Sequence, residues 1–249
     1  MTTIQRLLHI DSSARPGRYG ADPHGSHTRS LTHRFVTRWL AARPADEVIY
    51  RDVGASPPSP VNGDWVRAAF TAPARREPWL REVLAESDRL IDELQRADVL
   101  VLGAPLYNFN MPSSLKAWID NVIRIGVTFD FDPEGSPDDP YLPLLADRRR
   151  RAVLLSSRGA HGLDPGGEIA HMNHLEPSLR TALGFIGIKE VYQVAVEHQE
   201  DGGEKLAASV AAARARLDAL VDELVASVSR GEGQRHQAGR TAPRAASAG

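Results

Sequence analysis

The chain has 249 residues, of which 42% are hydrophobic and 25% are charged, and this composition is typical of a soluble globular protein. Its formal net charge is −2, so it lacks the basic excess by which proteins bind nucleic acid. The chain contains no cysteine, which excludes disulfides, thiolate metal ligands and cysteine nucleophiles.

In chain order, short apolar runs rich in β-branched residues alternate with longer segments whose apolar residues are spaced three and four apart. The short runs predict strands at residues 4–10, 46–51, 98–103, 152–156 and 188–196. The longer segments predict helices at residues 26–40, 64–71, 78–95, 113–124, 171–183 and 204–228. This alternation is typical of an α/β domain built on a parallel sheet.

We therefore expect a single domain over residues 1–229, a doubly wound five-stranded parallel sheet with helices on both faces. Residues 230–249 lose helical periodicity and are rich in Gly, Ala, Arg, Pro and Ser, which predicts a disordered tail. The N-terminus has no basic n-region and no cleavage site, so we expect no signal peptide, and no apolar stretch reaches the roughly 20 residues that cross a bilayer. We expect a cytoplasmic protein with no membrane partner.

Ligands of doubly wound sheets bind beyond the carboxyl ends of the strands, which directs attention to the loops after Ile10, Gly103 and Ser156. The first loop carries Ser13, and it ends where Ser26, His27 and Thr28 begin a helix; the N–H groups of a helix start suit a phosphate. A plain helix cap without a ligand is the alternative. Neither a glycine-rich dinucleotide motif nor a P-loop is present.

The other two loops offer groups that suit a planar ligand. The loop after Gly103 contains Leu106, Tyr107, Asn108 and Phe109 between two prolines, so two aromatic rings lie on a stiff segment. Those rings could instead cap the hydrophobic core. The loop after residue 156 contains Ser157, Arg158, Gly159 and Ala160, where the glycine lets backbone amides turn toward a ligand and the arginine supplies positive charge.

Several segments of the chain resemble the FMN-dependent NADH-azoreductases, which are also NADH:quinone oxidoreductases: LLHIDSSAR, SHTRSL, APLYNFNMPSSLKAWIDNVIRIGVTF, SSRGAHG and LGFIGIKEV. The resemblance covers about residues 4–228. It implies a flavodoxin-like fold with strand order 2-1-3-4-5, bound FMN, and a homodimer whose active sites lie at the subunit interface.

The resemblance also implies roles for individual residues. The FMN phosphate would contact Ser13, Ser26, His27 and Thr28, and the isoalloxazine ring would be bordered by the residues of the other two loops: Leu106, Tyr107, Asn108, Phe109, Ser157, Arg158, Gly159 and Ala160. Phe131 and Phe185 match positions near the substrate. NADH or NADPH would reduce the flavin, and a quinone or azo compound would then take two electrons at the same site, in a ping-pong cycle. No catalytic side chain is required, because the flavin carries the chemistry.

Three other functions stay open at this point. An NAD(P)H:FMN reductase would release its flavin in each cycle, and a non-enzymatic flavodoxin-like carrier would transfer single electrons. A metal hydrolase could use His161, His171, His174 and Glu168, but no spacing motif supports it and we predict no metal site.

Overall fold

The computed structural model describes residues 4–136 and 138–241, with backbone alone for residues 133, 136 and 231–241. The strands are β1 (Arg6–Asp11), β2 (Glu47–Asp52), β3 (Val99–Pro105), β4 (Phe129–Ser136), β5 (Asp139–Pro143), β6 (Arg151–Ser157) and β7 (Glu190–Val196). The helices are α1 (His27–Ala42), α2 (Gly63–Phe70), α3 (Pro78–Arg96), α4 (Ser113–Val122), α5 (Leu175–Phe185) and α6 (Gly203–Thr241). Short 3₁₀ helices cover Pro73–Arg75, Leu144–Asp147 and Ala170–Met172.

Five strands form one parallel sheet in the order β2-β1-β3-β6-β7. This confirms the predicted order 2-1-3-4-5, with β6 and β7 as the fourth and fifth strands of the sheet. The central strands β3 and β6 are buried at every residue, as their continuous apolar runs predict. Since all five strands are parallel, their carboxyl ends meet at a single edge.

Helices cover both faces of this sheet. One apolar cluster packs α3, α4 and α5 against one face, with Trp118 and Leu179 fully buried. The other packs α1 and α6 against the opposite face, with Phe35 and Leu217 fully buried. The helices therefore cover the central strands of the sheet, while the edge strands β2 and β7 stay partly exposed. In the described part of the chain, no helix combines the length and the hydrophobicity that crossing a membrane requires.

The sequence did not predict the antiparallel hairpin of β4 and β5, which follows α4. Charged residues interrupt this segment, so no apolar run marks its strands, and it lies outside the five-stranded sheet.

The predicted start of the helix at residues 171–183 was wrong. A 3₁₀ turn occupies Ala170–Met172, and α5 begins at Leu175, where the Asn173 side chain accepts a hydrogen bond from the Leu175 N–H.

The last helix continues past the predicted domain boundary at residue 229. Helix α6 extends to Thr241, so the backbone of the first part of the predicted tail is helical. Residues 242–249 lie outside the described residues, and the disorder of the tail stays a prediction.

Candidate functional site at the carboxyl edge of the sheet

The three loops that the sequence singled out meet at the carboxyl edge. The Ser12 N–H and the Ser12 hydroxyl both donate to the Gly103 carbonyl, at 3.0 and 2.8 Å, which ties the loop after β1 to β3. The Leu106 N–H donates to the Ser157 carbonyl at 2.9 Å, which ties the loop after β3 to the end of β6. These bonds confirm that the three loops lie side by side, as the parallel topology predicts.

The start of α1 has the features of an anion-binding helix end. Ser26 is the N-cap, and its hydroxyl accepts from the Arg29 N–H at 3.3 Å and lies 2.9 Å from the Thr28 hydroxyl. Both side chains are buried. Within the described residues, the N–H groups of His27 and Thr28 donate to no protein acceptor, as is usual for the first turn of a helix. Two hydroxyls and two N–H donors therefore converge at the positive end of the helix dipole.

A buried arginine holds this first loop against the sheet. The Arg29 guanidinium binds both carboxylate oxygens of Asp52, at 2.6 and 2.8 Å, and donates to the backbone carbonyls of Ser13 and Arg15, both at 2.9 Å. The hydrogen bond to Asp52 raises the pKa of Arg29 above its ordinary value, so the guanidinium stays charged. The sequence did not predict this network, because its members are far apart along the chain.

His27 is the one ionisable side chain among the predicted phosphate contacts, and it is buried beneath the loop that precedes α1. Its ring stacks on Tyr19 with a centroid distance of 3.8 Å. Burial lowers the pKa of His27 to about 4, and the positive charges of Arg15 and Arg214 contribute. The imidazole is therefore neutral at pH 7 and adds no charge to the phosphate end of the site.

The loop after β3 contains a tight turn with unusual backbone angles. Asn108 and Phe109 both have positive φ, at 46° and 69°, and Tyr107 and Asn110 exchange backbone hydrogen bonds of 2.9 and 3.0 Å. This pattern corresponds to a type I′ turn, which requires positive φ at both central positions. Asparagine tolerates this conformation, whereas phenylalanine rarely adopts it, and such strain concentrates at functional sites.

The turn presents its aromatic rings to solvent instead of the core. Phe109 is 50% exposed and Tyr107 is 37% exposed, so the alternative that these rings merely cap the hydrophobic core is wrong. On one side the turn lines a cavity of about 480 Å³ with Met111, Pro112 and Lys116. A rigid turn with two accessible rings is suited to hold a flat ligand.

The prediction that the Arg158 side chain supplies charge to a ligand was wrong. Arg158 is fully buried, and its guanidinium is surrounded by the carboxylates of Glu176 at 2.6 Å, Asp164 at 2.9 Å and Glu197 at 3.2 Å. Its backbone N–H donates to the Val196 carbonyl at 2.8 Å. The arginine therefore fixes the loop to α5 and β7, and its charge is neutralised by these carboxylates.

The backbone beyond Arg158 remains accessible to a ligand. Gly159 accepts a hydrogen bond from the Glu200 N–H, and a Cβ atom at position 159 would lie 2.3 Å from a carboxylate oxygen of the exposed Glu200 side chain, which would have to move to admit it. In the part of the chain that the structure describes, the N–H groups of Gly159 and Ala160 donate to no protein acceptor. The third loop thus offers the backbone donors that the sequence predicted at Gly159, but not the predicted guanidinium.

The two predicted substrate residues lie together but away from this edge. Phe131 contacts Tyr141 with a centroid distance of 6.4 Å, and Tyr141 contacts Phe185 at 5.1 Å. Helix α5 connects the parallel strands β6 and β7, so it begins at the carboxyl edge and its last residue, Phe185, lies near the amino edge. Within one chain, the structure does not bring Phe131 and Phe185 to the three loops.

The histidines also differ from the sequence-based set. Among the described residues, the structure does not gather His161, His171, His174 and Glu168 into a metal site. Instead it places His161 beside His198 and Asp201, whose potential ligand atoms all lie within 4.8 Å of one another. The sequence missed this group because His198 and Asp201 follow a different strand.

Comparison with known proteins gives concordant results. A family model described as flavodoxin-like fold matches residues 5–221. A relative from Idiomarina loihiensis, named FMN-dependent NADH:quinone oxidoreductase 2, is 43% identical over 221 residues, which is 89% of this chain and 91% of that protein. A relative from Pseudomonas aeruginosa, named FMN-dependent NAD(P)H:quinone oxidoreductase 1, is 44% identical over 218 residues, 87% of this chain and 98% of that protein.

The fold is also that of a solved structure. The crystal structure of an azoreductase from Bacillus anthracis aligns with a TM-score of 0.75 over 88% of this chain and 100% of that one. The two sequences are 22% identical, so this likeness concerns the fold.

Proposed function

This chain belongs to the family of FMN-dependent NADH:quinone oxidoreductases, which have a flavodoxin-like fold, and we propose that it transfers electrons from NADH or NADPH to quinones and azo compounds through bound FMN. The observation that carries this proposal is the convergence of a helix N-terminus, an aromatic type I′ turn and unengaged loop N–H groups at one sheet edge. We also propose a cytoplasmic location, since NADH and NADPH are produced there.

The phosphate of FMN fits the start of α1. Ser26 and Thr28 supply hydroxyl donors, and the N–H groups of His27 and Thr28 point out of the first helical turn. Ser13 lies in the adjacent loop, and the Arg29 guanidinium holds this loop in place by donating to the Ser13 carbonyl. His27 is neutral, so the helix dipole and the hydrogen-bond donors hold the phosphate without help from a histidine charge.

The isoalloxazine ring fits between the other two loops. Leu106, Tyr107, Asn108 and Phe109 provide one border, with an aromatic surface that the strained turn keeps in place. Ser157, Gly159 and Ala160 would provide the other, and the unengaged N–H groups of Gly159 and Ala160 would favour negative charge on the ring. Arg158 takes part only by fixing this loop. When bound, FMN supplies the hydride and electron-transfer chemistry, and the protein orients it and tunes its potential.

We infer that the nicotinamide and the electron acceptor use one binding place in turn, which is a ping-pong cycle. Support comes from the convergence of the three loops at one edge of the sheet and from the absence in the sequence of a glycine-rich dinucleotide motif that would hold the nicotinamide cofactor elsewhere. The exposed rings of Tyr107 and Phe109 offer surface for stacking to either substrate.

We also propose a homodimer in which Phe131 and Phe185 act at the site of the second subunit. Phe131 is 51% exposed, and its neighbours Tyr141 and Leu142 are both 48% exposed, so the hairpin presents an apolar surface. These residues do not reach the flavin loops of their own chain. A second copy that packs against the hairpin would bury this surface and complete the site.

A binding and activity measurement tests the proposal with a matched pair of variants. The purified chain should bind FMN, retain it through gel filtration and oxidise NADH when benzoquinone is added. Thr28→Val removes a buried hydroxyl from the phosphate site and should weaken FMN binding about tenfold to a hundredfold, because a hydrogen bond to a charged group is worth about 1.5–3 kcal/mol. Thr37→Val, on an exposed position of the same helix, should leave the affinity unchanged.

Two results would contradict the proposal. The first is a folded wild-type chain that neither binds FMN nor oxidises NADH with the quinone. The second is equal FMN affinity in the Thr28→Val and Thr37→Val variants. If the flavin dissociates in each cycle instead, the chain is an NAD(P)H:FMN reductase.

A further inference from the structure

Two histidines and an aspartate form a compact group beside the third loop of the flavin site. His161 follows β6 and His198 follows β7. These neighbouring parallel strands end at the same edge of the sheet, so the two loops begin side by side. The two imidazole rings stack with a centroid distance of 4.5 Å and an interplanar angle of 19°. The Asp201 carboxylate lies 2.5 Å from His198 Nδ1.

The backbone holds these side chains in place. The N–H groups of Gln199 and Glu200 donate to the carbonyls of Arg158 and Gly159, at 3.2 and 3.1 Å, so the loop after β7 is bonded to the loop after β6. His198 itself has a positive φ of 63°, a conformation that non-glycine residues seldom adopt. Such strain persists only where the surrounding structure imposes it.

The donor types select a class of ligand. Two imidazole nitrogens and one carboxylate oxygen form a set that binds zinc and similar first-row divalent cations, with a fourth position left for water. Magnesium and calcium prefer oxygen ligands throughout. His161 and Asp201 are exposed, so a cation can enter from solvent without unfolding either loop.

We propose that His161, His198 and Asp201 bind one zinc-class divalent cation, which joins the loops after β6 and β7. Ligand atoms around a tetrahedral zinc lie about 3.4 Å apart, given metal–ligand bonds near 2.1 Å. The three donor atoms here lie within 4.8 Å of one another, so small side-chain rotations bring them to that separation. Lys205, 65% exposed and 3.7 Å from Asp201, is the nearest competing cation, and its long side chain can withdraw into solvent.

This site is separate from the proposed flavin chemistry. No ligand of the cation is a predicted FMN contact, although His161 follows directly after Ala160. Zinc would therefore brace the third loop from its outer side. The proposal holds whether or not the chain reduces quinones, and it departs from the sequence analysis, which predicted no metal site.

Zinc titration of the full chain, loaded with FMN and competing with a chromogenic chelator, tests the proposal. We expect one zinc per chain, with magnesium unable to displace it. His161→Gln and His198→Asn should each weaken zinc binding by at least about tenfold, since even the partners of metal ligands contribute tenfold or more. Asparagine is chosen at position 198 because it tolerates positive φ.

His171→Gln, an exposed histidine in the 3₁₀ turn, is the matched control and should bind zinc like the wild-type chain. Ring signals of His161 and His198 in NMR spectra should shift on zinc addition, while the ring signals of His171 stay in place. Absence of stoichiometric zinc binding, or equal binding in the His161→Gln, His198→Asn and His171→Gln variants, would overturn the proposal. FMN content and NADH oxidation, measured on the same samples, report on the flavin site independently.

Discussion

The loops after β3 and β6 lie next to each other, yet they are built in opposite ways. The loop after β3 keeps its aromatic side chains in solvent and holds two residues at positive φ. The loop after β6 buries the Arg158 guanidinium among three carboxylates, and at Gly159 and Ala160 it offers backbone N–H groups to a ligand. The loop after β3 thus presents side chains to a ligand, and the loop after β6 presents backbone groups.

This difference shows why residue type alone is a weak guide to ligand contact. An arginine directly after a central strand suggests a fixed charge for a ligand, but burial at that position requires that the charge be paired. Glu176 of α5 and Glu197, which directly follows β7, supply the pairing. The accessible donors for the ligand are then the N–H groups of Gly159 and Ala160, which the glycine, and not the arginine, predicts.

The largest effect is expected from removal of the buried charge. Arg158→Ala leaves the Glu176 carboxylate, 3% exposed, without its main partner. Loss of one member of a buried pair costs about 3–5 kcal/mol, so the free energy of unfolding in urea should fall by that amount. Arg149→Ala removes a guanidinium that is 61% exposed and paired with Glu190, and it should cost less than about 1 kcal/mol. Equal losses in the two variants would mean that Arg158 is not structural.

A smaller effect, with a pH dependence, is expected from the buried His27. Its pKa is about 4 in the folded chain, whereas an unfolded histidine titrates near 6.5. Between these pH values the unfolded chain binds a proton that the folded chain does not. Stability present above pH 6.5 is therefore lost as the pH falls toward 4, by an amount on the order of 2 kcal/mol.

Urea denaturation between pH 4 and pH 7 measures this slope. His27→Asn should flatten that part of the curve, whereas His24→Asn, at an exposed position of the loop before α1, should keep it. Parallel curves for wild type and His27→Asn would contradict the assignment of the slope to His27.

The smallest effect is expected at the turn after β3. Asn108→Val places a β-branched residue at a φ of 46°, which should destabilise the fold by about 1 kcal/mol and weaken FMN binding, because the turn no longer holds its rings in place. Asn108→Gly, which suits positive φ, should keep the wild-type stability. Thermal unfolding compares the two variants. A glycine variant as unstable as the valine variant would contradict the claim that asparagine stabilises the turn through its tolerance of positive φ.

The strand order came from the family resemblance, whereas apolar periodicity located the five strands, β3 and β6 most clearly because they are buried throughout and their runs are unbroken. It also placed the three loops, since parallel strands share one carboxyl edge. The hairpin of β4 and β5 escaped prediction because it lies outside the sheet and its strands carry charged residues. The partners of Arg158 and the pairing of His161 with His198 depend on contacts between distant segments, and the stack of Tyr19 on His27 depends on how an irregular loop folds back on α1. Periodicity encodes neither.

The most direct test of the account is an anaerobic NADH titration of the FMN-loaded protein, followed through the visible flavin absorption. We expect one equivalent of NADH to bleach the band in a single two-electron step, and benzoquinone to restore it. A band that does not respond to NADH, or one that passes through a stable one-electron form, would contradict the proposed oxidoreductase and leave an electron carrier as the function of this fold.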